Sequence, residues 1–175
     1  MKNITLFFLL ATCLSCTKKE EIKQNISPLE AKKEISKNLD AWHQAAANAN
    51  FDAYFNLMTK EGVFLGTDAT ENWQNKAFKA FSKPYFDKGK AWSFTAIERN
   101  IYLSNDNKIA WFDELLDTQM EICRGSGVLI MENNTWKIAH YVLSITIPNQ
   151  NVTQVVNLKK TTDSLIINKL KNKNE

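Results

Sequence analysis

The chain has 175 residues, 44% of them hydrophobic and 23% charged, with a formal net charge of +3. That length suits a single domain with its own core. No basic stripe is interleaved with aromatics, which excludes nucleic acid as the expected partner. Of three cysteines only Cys123 lies outside the first sixteen residues, so no internal disulfide is expected and the fold must rest on apolar burial.

Residues 1–15 read as a targeting segment: Lys2, an apolar run over 4–14 too short to span a bilayer as a helix, then Leu14-Ser15-Cys16. The pattern resembles a bacterial lipoprotein signal, cleaved so that Cys16 carries the lipid, with Cys13 as the alternative site. The resemblance implies export and a lipid anchor in the cell envelope, periplasmic or at the cell surface. Residues 16–26, rich in Lys, Glu, Gln and Asn, form a polar tether. A domain over 27–148 follows, then a polar, basic tail over 149–175.

Ser27, Pro28 and Glu30 are start signals for a long helix, whose apolar stripe is Ile35, Leu39, Trp42, Ala46 and Ala49. His43 is expected at its surface or rim. Phe51, Tyr54, Phe55 and Met58 fit a short second helix, and Val63-Phe64-Leu65 a strand. Asp68 and Glu71 have capping-box spacing before a third helix marked by Trp73, Ala77, Phe81 and Tyr85 and stopped near Pro84. Residues 91–103 are extended, with a change of parity near Ala96 that predicts a bulge. Residues 108–116, 122–131 and 136–147 form a three-strand meander. A last short helix is expected within residues 163–170. The order predicts an α+β fold, a cone in which a strongly bent antiparallel sheet packs on three N-terminal helices.

Tight turns in the meander would set Asp113 opposite Arg124 or Ser126, Ser126 opposite His140, and Ile130 opposite Trp136. One face would then carry Trp111, Asp113, Arg124, Ser126, Val128, Ile130, Trp136, Ile138, His140 and Ser144. The other would carry Phe112, Glu114, Cys123, Leu129, Met131, Tyr141, Leu143 and Ile145. Both faces are apolar, so the second needs a cover: the C-terminal tail or, the favoured expectation, a second copy in a sheet-to-sheet homodimer.

Four stretches, Phe64–Trp73, Ala110–Glu114, Cys123–Val128 and Trp136–Ser144, resemble a SnoaL-like domain of the nuclear transport factor two-like (ketosteroid-isomerase-like) superfamily. The resemblance implies the cone fold and no single activity, since the superfamily includes isomerases, dehydratases, cyclases, binding proteins and oligomerisation modules.

The residues themselves point to a small, partly apolar ligand in the cone. Asp113 and His140 are the candidate acid–base pair. Arg124, Glu71, Trp111, Ser126, Asp68 and Trp73 are the candidate ligand contacts. Each has a plain structural alternative: a buried Asp113–Arg124 pair, a hydrogen-bonded core His140, a capping Asp68. Ser126 sits in a strand without an elbow turn, which argues against a nucleophilic triad. His43 and His140 are far apart with no acidic cluster, so neither metal nor cofactor is expected. The competing function is a non-catalytic dimerisation or assembly module of the cell envelope.

Overall fold

The computed structural model describes residues 26–173; the targeting segment and the lipidation candidates Cys16 and Cys13 lie outside the described residues. Helix α1 (Pro28–Ala47) opens with the expected capping box, the Ser27 side chain accepting from the Glu30 amide and Glu30 returning to the Ser27 amide. It is followed by α2 (Phe51–Asn56), β1 (Met58–Leu65), β2 (Asn72–Gln74), α3 (Asn75–Asp87), β3 (Phe94–Leu103), β4 (Ile109–Thr118), β5 (Glu121–Glu132), β6 (Thr135–Ile145) and a final helix α4 (Val152–Lys171) after a 3-10 turn at Asn149–Asn151.

The six strands form one curled, unclosed sheet in the order β2-β1-β6-β5-β4-β3. The sheet is not wholly antiparallel, because β1 lies parallel to β6. β2 falls where only a helix was expected. Helix α1 packs on β3 and β6, α2 on β1, and α3 on β1 and β2, so all three close the concave side. The interior is largely aromatic: Trp42 stacks on Tyr54 at 4.7 Å and meets Tyr141 edge-on at 4.8 Å, while Phe64 stacks on Phe78 at 4.2 Å. Such rings carry much apolar area per residue, plus a pairwise preference of about 0.5–1.5 kcal/mol.

The meander differs from expectation at one hairpin. Asp113 does pair with Ser126. At the next turn Asn133 and Asn134 both take positive φ, 49° and 60°, the two-residue type I′ geometry. This sets Met131, not Ile130, opposite Trp136. A register shift at Val128/Leu129 then places His140 opposite Val128 and Ser126 opposite Val142. Before the shift, Trp136 and Ile138 point to the concave side and are buried. Beyond it the faces fall as the alternation anticipated. The bulge foreseen near Ala96 is present, between Ala96 and Glu98.

Two helices also depart from expectation. In α3 the buried face is Phe78, Ser82 and Phe86, whereas Phe81 and Tyr85 stay on the open side near Trp73; Pro84 lies inside the helix rather than ending it. The last helix is twenty residues long rather than short, with no buried residue.

Candidate functional site

The alternation of β4 sends Phe112, Glu114 and Leu116 inward and Trp111 and Asp113 outward. Glu114 is therefore a carboxylate in the aromatic interior, 1% exposed. Isolated there it would be costly, and three side chains converge on it. His43 Nε2 lies 2.8 Å from Oε1, and Tyr141 donates its hydroxyl to the same oxygen at 3.2 Å. Arg99 Nε donates to Oε2 at 2.8 Å. The Arg99 Nη1 group in turn donates to the Ser36 carbonyl, the Ser36 hydroxyl and Asp40 Oδ1, at 3.0, 2.9 and 2.8 Å, tying α1 to β3.

Burial pushes the Glu114 carboxyl up, but the His43 hydrogen bond and charge together with the Arg99 guanidinium outweigh it and hold the group below its ordinary value. An ionised carboxylate has no proton to give, so His43 Nε2 is the donor. Burial raises the Tyr141 hydroxyl well above the ordinary tyrosine value, and the Glu114 charge adds to this. Three donors satisfy the carboxylate, while Arg99 Nη2 is buried without a hydrogen-bond partner among the described residues. Gly125 is what admits the cluster: a Cβ there would sit 2.3 Å from the Tyr141 hydroxyl and 2.9 Å from Glu114 Oε1.

Next to this cluster, at the open end of the cone, lies a cavity of about 150 Å³ walled by Phe64, Trp73, Phe78, Phe81, Trp92, Phe94 and Leu143, with Thr67, Glu71 and Gln119 as its polar groups. Phe94 separates it from His43, with ring centroids 5.9 Å apart, and Phe64 separates it from Tyr141 at 5.6 Å. A wider groove of about 370 Å³ runs along the β3 edge beside Lys32, Arg99 and Tyr102. Its lining, Lys32, Arg99, Asn100, Ile101 and Tyr102, is more polar than that of the smaller cavity, which is therefore the more apolar site.

The candidate residues divide between these places. Glu71 and Trp73 line the cavity. Asp68 is satisfied within its own loop, accepting from the Thr70 amide and hydroxyl at 2.8 and 2.6 Å, which hold its carboxyl below the usual range. Glu71 accepts from the Asp68 amide at 3.2 Å. This loop leads into β2 rather than capping α3, whose N-cap is Gln74. Asp113, Arg124, Ser126, Trp111 and His140 share the outer face, away from the helices. There Asp113 accepts from Asn100 Nδ2 at 3.1 Å, and no ion pair joins it to Arg124 among the described residues.

The structure thus does not gather Asp113, Arg124 and His140 inside the cone; the helices cover the opposite face, and Glu114 occupies the interior. His43, expected at the surface, is buried at 4%. Sequence reasoning missed His43, Arg99, Glu114 and Tyr141 as a set. One signal was present: His43 stands four residues after Leu39 and three before Ala46, within the buried helical stripe.

The SnoaL-like domain family matches residues 35–148. Solved structures share the fold at low identity. An NTF2-like protein from Cytophaga hutchinsonii is 13% identical, with a TM-score of 0.56, over 66% of this chain and 98% of that one. A Streptomyces avermitilis protein, provisionally described as a dehydratase of the NTF2-like family, is 10% identical, with a TM-score of 0.59, over 70% of this chain and 100% of that one. The association domain of C. elegans CaMKII is 17% identical, with a TM-score of 0.54, over 65% and 95%. A search of the curated proteins returned no match. The family match covers most of the chain and the cone fold agrees with it: the chain belongs to the SnoaL-like domain family.

Proposed function

We propose that the chain is a binding domain for a small molecule bearing one flat apolar ring, held at the cell envelope by a lipid on Cys16. The observation that carries the ligand reading is the aromatic-walled cavity of about 150 Å³. An open cavity walled mainly by aromatic side chains can receive one flat ring against those walls. Glu71 is the one ionisable residue on its wall, which favours binding over acid–base turnover.

The test is a calorimetric titration with single-ring aromatics such as phenol and indole. Saturable binding, weakened at least tenfold in Trp73→Ala at unchanged melting temperature, supports the reading. Absence of saturable binding across the panel sinks it. The anchor rests on the sequence of residues 1–16 alone. Its test is fractionation, with Cys16→Ala expected to move the protein out of the membrane fraction.

A second reading is homodimerisation through the outer sheet face. It is favoured by the pair Tyr102 and Trp111, register partners stacked at 5.9 Å and exposed among the described residues. The likeness to an association domain agrees with it.

A further inference from the structure

Among the described residues, two apolar surfaces are left open. The first is α4, whose packing contacts are with the short turn before it. Its residues Val152, Val155, Val156, Ile166, Ile167 and Leu170 share one side, crossed midway by the Lys159–Asp163 ion pair, and Val156, Ile167 and Leu170 are each at least half exposed. A lone helix of this kind is marginal in water and gains its stability by packing an apolar face. The second is the outer face of β3 and β4, with Ile97, Tyr102, Ile109 and Trp111 exposed.

We propose that α4 of one copy lies across the outer β3–β4 face of a second copy, reciprocally, so that the dimer closes by helix exchange. The inference deepens the homodimer reading and rests on it. Length fits: twenty residues of helix span about 30 Å, and ten-residue strands reach roughly 34 Å. Charge fits: α4 carries Lys159, Lys160, Lys169 and Lys171 against Asp163 alone, while the outer side of β3 and β4 carries Glu98, Asp113 and Asp117. Within one copy α4 packs mainly on the turn Asn149–Asn151 that precedes it.

The experiment uses the full chain and two variants, one with a damaged helix stripe (Val156→Glu with Ile167→Glu) and one with a damaged sheet face (Trp111→Glu). Solution mass is read by light scattering. The wild type is expected at twice the mass of one mature chain, each variant alone at half that, and an equimolar mixture of the two variants at an average mass between the two, because one of the two helix-on-sheet contacts remains possible. A dimer that survives the helix variant but not Trp111→Glu overturns the exchange while leaving a sheet-to-sheet dimer standing. A monomeric wild type overturns both. A monomer whose sedimentation with phosphatidylglycerol vesicles is lost in the helix variant overturns the exchange and assigns α4 to a lipid surface.

Discussion

Arg99 and Glu114 face one another as register partners across β3 and β4, and Arg99 Nε meets Glu114 Oε2 at 2.8 Å. With His43 and Tyr141 on the other oxygen, one carboxylate joins α1, β3, β4 and β6. Removing one member of a buried ionic set leaves the rest uncompensated, at a cost of about 3–5 kcal/mol. Glu114→Gln is therefore expected to lower the urea midpoint strongly without changing the fold.

The same carboxylate sets an acid limb. Its folded-state value lies below the ordinary one, so its contribution is complete above the unfolded value, about 4.3. It is lost as pH falls through the lower folded value. Stability measured from about pH 6 down to pH 3 should fall less steeply in Glu114→Gln than in the wild type.

Gly125→Ala places a methyl group against the Tyr141 hydroxyl and Glu114. Overpacking of this kind costs about 1–3 kcal/mol. The expected signature is a lower unfolding midpoint together with a changed Tyr141 environment in near-ultraviolet circular dichroism. An unchanged midpoint refutes the geometry proposed for this corner.

Burial raises both Tyr54 and Tyr141 well above the ordinary tyrosine value. Above about pH 10 the unfolded chain releases protons that the folded chain retains, so stability falls as pH rises. Absorbance at alkaline pH should show these two hydroxyls ionising only together with unfolding.

Asp113→Asn and His140→Ala alter the outer face and leave the aromatic cavity intact. Binding of a ring probe should stay within about twofold of wild type, with stability changes near 0.5 kcal/mol, as for substitutions away from the core. A tenfold loss of binding in either would move the site to that face.

Much of the architecture was legible because it follows from local periodicity. The stripe of α1, its cap at Ser27 and Glu30, the bulge near Ala96 and the shared face of Asp113, Arg124 and Ser126 all rest on spacings of three, four or two residues. The helix with Phe78 and Phe86 inside was misjudged because Phe81 and Tyr85 make an equally regular stripe. Only the position of Trp73 on β2 left that second stripe on the open side.

The interior site was not legible for a different reason. Parity says which residues share a sheet face, but not which face the helices cover. Asp113 and Glu114 are adjacent carboxylates, and the sequence treats them alike. The amino-acid order by itself determined the family, the helix-then-sheet plan and the two-faced apolar sheet. Tertiary structure decided that Glu114 goes inside, because only there do His43 from α1 and Arg99 from β3 arrive to offset the desolvation of its charge.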